Sequence, residues 1–185
     1  MANPVIFAET LLRLDHWVGG LHAVVAHSMG ALGTAFACSQ GLDPSRVALV
    51  APAVSPKQAT ETMGRLLWMS GDVIDNLQQR LEERVGLGLD DMEEGRLYDD
   101  VTCPTLVVHE RDDHDVSTDA AEAIAEATDA RVRWTEGLGH RRILRDPAVI
   151  ARVVAFIDEA PRPASDPWRS FLLDDTPLNL GSVLT

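Results

Sequence analysis

The stretch VVAHSMGALG, residues 24–33, joins an apolar run to a segment of small residues, with Ser28 at the junction. The run LHAVVAH (21–27) is typical of a strand buried on both faces, and SMGALGTAFACSQGL is typical of a helix. Ala26 and Gly30 stand two residues to either side of Ser28, and a sharp strand-to-helix turn needs small residues there. Ser28 is therefore either a nucleophile held on a tight turn or a helix N-cap, a position that serine also favours.

Strand-like and helix-like segments alternate along the rest of the chain. Such an alternation predicts an α/β fold, in which helices flank both faces of a mostly parallel sheet. The segment 55–100 interrupts the alternation once, because it is charged, carries methionines and leucines, and has helical spacing. The further strands are expected at 46–54, 103–110 and 130–137, and the helices at 9–20, 117–128 and 146–160.

The first and last of these helices can be predicted in more detail. In the first helix, Leu11, Leu12 and Leu14 are expected to face inward, and a pair of glycines ends it. In the last helix, Asp146 is expected to be the N-cap, with Pro147 in the first turn.

Composition predicts one domain followed by a tail. The domain covers residues 1–160 and includes the helical insertion at about 55–100. Residues 161–185 contain four prolines and show no periodicity, which is typical of a Pro-rich C-terminal tail.

The charge of the chain narrows the class of partner. The 185 residues include 16 basic and 29 acidic side chains, which gives a formal charge of −13. Such acidity disfavours nucleic acid and anionic membranes as partners. No apolar run is long enough to span a membrane, and the N-terminus lacks the features of a secretory signal. Cys38 and Cys103 lie in apolar contexts that favour buried free thiols over a disulfide, so a cytoplasmic location is expected.

Ionisable residues cluster after the third predicted strand, in VVHERDDHDVS. Sites in open α/β sheets are built at the carboxyl ends of the strands. An acidic residue here belongs either to such a site or to a solvated loop. A metal site is a further alternative, although the spacing matches no metal motif. The residues concerned are His109, Asp112, Asp113, His114 and Asp115.

His140 follows a Gly-Leu-Gly turn in TEGLGHRRIL, just after the fourth predicted strand. It too falls at the carboxyl end of a strand, and the glycines let the loop fold over its neighbours. His16, His22 and His27 lack that combination. His22 begins a strand, and His27 is expected on the opposite side of the turn from Ser28, so both are interpreted as packing or hydrogen-bonding residues.

These stretches give the order Ser, Asp, His, and with them the sequence resembles the α/β-hydrolase superfamily over residues 9 to about 159. The resemblance rests on AHSMGA, LVVHERDDHDVS and EGLGHRRILRDPAVIARVVAFI. It implies a serine hydrolase that cleaves a carboxylic ester or related acyl bond of a small molecule through an acyl-enzyme, with no cofactor and no metal. Ser28 would be the nucleophile, His140 the base and Asp113 the acid, with Asp112 as the alternative acid.

The resemblance also implies further parts of a site. The backbone N–H of Met29 would be one oxyanion donor. The insertion at about 55–100 stands where the family has its cap. Met63, Leu67 and Trp68 would either line an apolar substrate pocket there or only join the cap to the body.

The sequence departs from the family pattern in several places. Ala26 replaces the first glycine of G-x-S-x-G, while Glu110 and Ser117 replace a glycine and a proline of H-G-x-x-D-x-x-V-P. Family members also have strands, and a loop that gives a second oxyanion donor, before the serine strand. The sequence shows neither, and is interpreted as a C-terminal portion of the fold whose strand LHAVVAH is an exposed edge that favours a homo-oligomer. The alternative function is a truncated, catalytically weak or silent fragment with a self-association or binding role.

Overall fold

The four predicted strands form one parallel sheet in the computed structural model, which describes residues 4–85, 88–89 and 95–159. The strand order is β1-β2-β3-β4, and each neighbouring pair is parallel. The strands are β1 (Ala23–His27), β2 (Arg46–Val50), β3 (Thr105–Glu110) and β4 (Arg131–Thr135). The helices are α1 (Pro4–Val18), α2 (Met29–Ser39), α3 (Pro56–Leu66), α4 (Gly71–Val85), α5 (Thr118–Thr128), α6 (Gly139–Arg142) and α7 (Pro147–Asp158). The predicted α/β class with a parallel sheet is confirmed.

Two apolar clusters cover the two faces of this sheet. Alternate side chains of a strand point to opposite faces. Val47 and Leu49 of β2 therefore join the cluster that contains α2 and α5, whereas Ala48 and Val50 join the cluster under α7. Nearly every residue of β2 and β3 is buried. Burial on both faces explains why these two strands are continuous apolar runs in the sequence.

β1 lies at one edge of the sheet. Val24 and Ala26 are buried in the cluster with α2, but the Val25 side chain is 52% exposed. The expectation that this strand is buried on both faces is wrong for Val25. Its register partner is Ala48, whose face is packed by α7, but α7 contacts β2 and β3 rather than the edge strand.

α1 begins at Pro4, five residues before the predicted start, because proline is well tolerated in the first turn of a helix. Leu11 and Leu12 pack against the core, but Leu14 is 39% exposed, so its predicted inward position is wrong. The three leucines span about 160° of the helix, which is wider than the buried stripe of a surface helix.

α7 begins as predicted. The Asp146 side chain accepts hydrogen bonds from two backbone N–H groups of the first turn, at 2.9 and 3.0 Å, and Pro147 occupies the first helical position. The sequence signal was sufficient because capping is a local interaction.

The predicted helical insertion contains α3 and α4. Ser55 caps α3 by accepting a hydrogen bond from the N–H of Gln58 at 3.1 Å. The chain returns to the sheet through a 3₁₀ turn at Arg96–Tyr98, where the buried Tyr98 hydroxyl donates to the carbonyl of Ala53. The insertion is thus tied to the end of β2 as well as to the start of β3.

The domain limits remain predictions. The tail at 161–185 lies outside the described residues, and the interpretation of the insertion as a cap stays an expectation. Among the described helices, none has the length and apolar character that crossing a membrane requires.

The contact between α1 and α2 depends on Gly33. A Cβ atom at this position would lie 2.5 Å from the Cβ of Phe7 and 3.1 Å from the carbonyl oxygen of Pro4. Both atoms belong to or adjoin the backbone of α1, so the helix itself would have to move. We expect Gly33→Ala to lower the free energy of unfolding by about 1–3 kcal/mol in urea denaturation, although alanine favours helix more than glycine does.

Gly71→Ala is the matched control. Gly71 also lies in a helix, but an added Cβ there meets no atom within 4 Å. This variant is expected to keep or slightly raise the free energy of unfolding. Equal stability of the two variants would contradict the close packing of α1 on α2.

Candidate active site

Ser28 occupies the turn between β1 and α2 in a conformation that is rare for a residue with a side chain. Its backbone angles are φ 52° and ψ −124°. The turn is held by backbone hydrogen bonds: the Ser28 N–H donates to Val50 at 3.2 Å, and its carbonyl accepts from Ala31 and Ala53 at 3.0 and 3.2 Å. The Ser28 side chain makes no capping hydrogen bond to α2. Of the two roles left open by the sequence, the structure therefore disfavours helix capping.

The Ser28 hydroxyl instead faces His140. Its Oγ lies 3.0 Å from His140 Nε2, and His140 Nδ1 lies 2.8 Å from Asp113 Oδ2. In this arrangement the Nδ1–H donates to the carboxylate, which leaves Nε2 free to accept the serine proton. The three residues follow the carboxyl ends of β1, β3 and β4. Because the strands are parallel, these carboxyl ends lie on the same side of the sheet.

Asp113 is fixed by its own loop as well as by His140. Its Oδ1 accepts from the backbone N–H groups of Asp115 and Val116 at 2.8 and 3.0 Å, and its side chain is fully buried. Burial alone would raise the pKa of Asp113, but the hydrogen bonds from His140, Val116 and Asp115 hold that pKa below its usual range. The structure thus brings an ionised Asp113 to His140, whereas Asp112 is exposed.

The loop that carries His140 uses two glycines in left-handed conformations. Gly137 has φ 77° and Gly139 has φ 67°. Such angles cost little only for glycine, and they let the chain reverse between the end of β4 and the short helix α6. The Gly-Leu-Gly signal in the sequence is explained by this reversal.

Met29 is the first residue of α2. The first N–H groups of a helix lack partners within the helix and carry the positive end of its dipole. Met29 also lines the cavity that contains Ser28 and His140. The role of oxyanion donor stays a prediction for its backbone N–H.

An open cavity of about 1070 Å³ surrounds Ser28 and His140. Met63 and Leu67 of the insertion line it, as the pocket interpretation predicts. Trp68 does not line it and is 94% exposed, so its predicted role in a pocket is not supported by its position. Trp68 follows the end of α3 and has a positive φ of 54°.

The structure also places residues in this cavity that sequence reasoning missed. Phe7 reaches it from α1, and Arg111 and Arg141 lie at it beside the residues that follow β3 and β4. Arg111 stacks on the Trp134 ring at 5.1 Å and pairs with Glu136 at 3.4 Å. The sequence could have indicated the two arginines, because Arg111 lies in the stretch that contains Asp113 and Arg141 directly follows His140. Nothing in the sequence indicated Phe7.

His27 does not lie away from the site, so its predicted orientation is wrong. Its Nε2 is 2.9 Å from the carbonyl oxygen of His140, and the two imidazole rings are 4.6 Å apart. The expectation extended the alternation of β1 through the turn, whereas the left-handed conformation of Ser28 ends that alternation. The interpretation of His27 as a hydrogen-bonding residue agrees with this contact.

The acidic loop shows no arrangement suited to a metal ion. Across residues 4–85, 88–89 and 95–159, no three His, Cys, Asp or Glu side chains converge on a point that such an ion could occupy. His109 is fully buried, with Nε2 at 3.2 Å from the carbonyl of Val116. Burial lowers the pKa of His109, which favours a neutral ring beneath the Asp113 turn.

Comparisons with known proteins identify similar folds. No protein-family model matches the sequence, and a search of curated proteins finds no match. A monoacylglycerol lipase of Paleococcus ferrophilus aligns with a TM-score of 0.59 and 16% identity, over 86% of this chain and 77% of the lipase. The putative non-heme bromoperoxidase BpoC of Mycobacterium tuberculosis aligns with a TM-score of 0.59 and 13% identity, over 85% and 74%. The metagenomic α/β hydrolase MGS-MChE2 aligns with a TM-score of 0.58 and 13% identity, over 85% of this chain and 70% of the hydrolase. Identities this low show the fold alone.

Backbone strain at Ser28 can be tested by comparing the free energies of unfolding of two variants, Ser28→Gly and Ser28→Ala. Glycine adopts φ 52° without penalty, whereas alanine keeps the unfavourable conformation. We expect the free energy of unfolding of Ser28→Gly to exceed that of Ser28→Ala by about 1 kcal/mol.

Ser39 gives the control, because it is the last residue of α2 and its φ is not positive. There the order should reverse, with Ser39→Ala more stable than Ser39→Gly by up to about 0.5 kcal/mol. The same order at both positions would contradict strain at Ser28.

Proposed function

Because the chain has the α/β-hydrolase fold that its sequence resembles, we propose that it is a serine hydrolase acting on a carboxylic ester or related acyl bond. The observation that supports this most directly is the hydrogen-bonded row of Asp113, His140 and Ser28, with distances of 2.8 and 3.0 Å. The nucleophile stands on a strained turn whose backbone bonds fix it in place. Preorganised geometry of this kind is what acyl transfer through a serine needs.

The proposed reaction has two halves. Ser28 Oγ attacks the carbonyl carbon while His140 Nε2 takes its proton, and Asp113 stabilises the imidazolium that results. The oxyanion forms beside the N–H of Met29. His140 then gives its proton to the leaving oxygen, the ester bond breaks, and an acyl-enzyme remains. Water, deprotonated by His140, hydrolyses the acyl-enzyme and restores the serine.

One part of the cavity wall is apolar and could receive the acyl group, although polar and charged side chains line the rest. Met63, Leu66 and Leu67 line this apolar part, and Phe7 adds an aromatic ring. A small-molecule acyl ester of small to medium length is therefore the proposed substrate class. Each of the steps uses groups of this chain and calls for no cofactor.

The two thiols are poor competitors for the role of nucleophile. Cys38 and Cys103 are both free, and burial raises the pKa of Cys38 to about 12 and also raises the pKa of Cys103. A thiol with a raised pKa holds little of the reactive thiolate at neutral pH. Free thiols also support the cytoplasmic location that we propose.

Labelling with a fluorophosphonate probe tests this function. Ser28→Ala should abolish labelling of the folded chain, because the probe reacts with the serine oxygen. His140→Ala and Asp113→Asn should lower the labelling rate, and the rate of hydrolysis of p-nitrophenyl esters, by about 10²–10⁴.

Asp112→Asn is the matched control, since it removes a carboxylate from the same loop. We expect its rates to stay within about twofold of the parent chain, because an exposed charge contributes little. A folded parent chain that is neither labelled nor active would contradict the proposed function.

Self-association is a second candidate role, favoured by the edge position of β1. An edge strand presents unpaired backbone groups, and Val25 adds an exposed apolar side chain. In this alternative the chain would pair β1 with a second copy or another binding partner and would act as a binding module with little or no turnover.

Sedimentation of the chain separates the two roles. If β1 forms the interface, Val25→Lys should shift a dimer to monomer, because a charged side chain on an edge strand opposes pairing with a second chain. Val73→Lys, at another exposed valine on α4, should leave the dimer intact. A parent chain that sediments as an active monomer would exclude the self-association role.

A further inference from the structure

Glu110 is a fully buried carboxylate that the proposed reaction does not use. It is the last residue of β3 and is 0% exposed. Its Oε2 accepts hydrogen bonds from Thr135 Oγ1 at 2.8 Å and from the N–H of Leu138 at 3.1 Å. A buried charge is tolerated only where such partners replace water. The resembled family pattern has glycine at this position, so the contacts are a feature of this chain.

Both hydrogen bonds to Glu110 come from the end of β4 and from the loop that follows it. Thr135 is the last residue of β4, and Leu138 lies in the loop that leads to His140. Burial alone would raise the pKa of Glu110, but the hydrogen bonds from Thr135 and from the backbone of Leu138 lower it. Oε1 makes no hydrogen bond within the described residues, so the two contacts of Oε2 hold the carboxylate in place.

The hydrogen bond from Leu138 shows that Glu110 does more than connect β3 with β4. β3 and β4 are already joined by their ladder and by the bond from the Arg111 N–H to the carbonyl of Thr135, at 3.0 Å. Leu138 lies beyond the end of β4 and two residues before His140. The Glu110 carboxylate therefore binds the loop that leads to His140, at a point beyond the last backbone hydrogen bond between β3 and β4.

His27 holds the same loop from the other side. Its Nε2–H donates to the carbonyl oxygen of His140 at 2.9 Å, and its ring lies against the His140 ring. Burial lowers the pKa of His27, so the ring is neutral and donates from Nε2 alone. The end of β1 and the end of β3 thus each bind a backbone group of the segment 138–140.

We propose that Glu110 and His27 are positioning residues that fix the loop of His140 between Ser28 and Asp113. This inference rests on the proposed hydrolase function for its kinetic consequences, but not for its structural ones. His140 must keep two hydrogen bonds at once while it accepts and returns a proton. Misplacement of a reacting group by about 1 Å can cost about 10²-fold in rate. A loop with two left-handed glycines needs such external contacts to hold a single conformation.

The test compares Glu110→Gln and His27→Ala with the parent chain. Glu110→Gln replaces the charged acceptor of the Thr135 and Leu138 hydrogen bonds by a weaker, neutral one, and His27→Ala removes the donor to the carbonyl oxygen of His140. We expect each variant to lower kcat for a p-nitrophenyl ester by about 10–100-fold, with KM within about threefold. The downfield proton resonance of the His140 Nδ1–H should shift or broaden in the NMR spectrum.

Matched controls remove the same charge or ring without touching the loop contacts. Glu122→Gln changes an exposed carboxylate on α5, and His16→Ala changes an exposed histidine on α1. Both should keep kcat and the Nδ1 resonance of the parent chain. Thr135→Val removes one of the two hydrogen bonds to Glu110 Oε2 and the longer contact to the carbonyl of His109, but leaves the bond from Leu138, so its kcat should fall less than that of Glu110→Gln.

Each outcome decides for or against the positioning role. Folded Glu110→Gln and His27→Ala with unchanged kcat and unchanged resonance would overturn it, as would a Thr135→Val variant that matches Glu110→Gln in full. If Glu110→Gln does not fold, Glu110→Asp and His27→Ala carry the same comparison. A parent chain without activity, in which the resonance still shifts on substitution, would reject the hydrolase function and keep the positioning role.

Discussion

The parallel pairing of the four strands is the constraint on which the site depends. Because all strands run in one direction, the residues that follow β1, β3 and β4 emerge at a single edge of the sheet. The register then decides how far each loop must reach: His27 pairs with Val50, and Glu110 pairs with Thr135. No long connection is needed to bring Ser28, Asp113 and His140 together. The strand ladder does most of the positioning, and short loops complete it.

Most of the fold was accessible from the sequence, because its signals are local or periodic. The buried strands β2 and β3 are continuous apolar runs, and the cap of α7 at Asp146 is formed within one turn of helix. The α/β class and the resemblance to α/β hydrolases were confirmed for this reason. The positions of Ser28, Asp113 and His140 after three different strands also followed from the sequence, and the structure brings the three side chains within hydrogen-bonding distance.

The remaining errors concern contacts that no local pattern encodes. Leu14 is exposed because the buried stripe of α1 is narrower than its row of leucines, and Trp68 turns outward at a left-handed residue. His27 was placed on the wrong side because a single positive φ at Ser28 ends the strand alternation. Glu110 could not be given a partner from sequence, since Leu138 lies in a different loop 28 residues away. Such contacts depend on tertiary geometry, which propensity and periodicity do not report.

The bond between Ser28 and His140 joins residues 112 positions apart in the chain. In an unfolded chain, loop-closure entropy opposes the meeting of residues so far apart, and the ordered sheet offsets that cost. His140 follows β4, so its ring lies beside Ser28 only when β4 is paired with β3. For the hydrolase function that we propose, activation of Ser28 by a base thus requires all four strands to be in place.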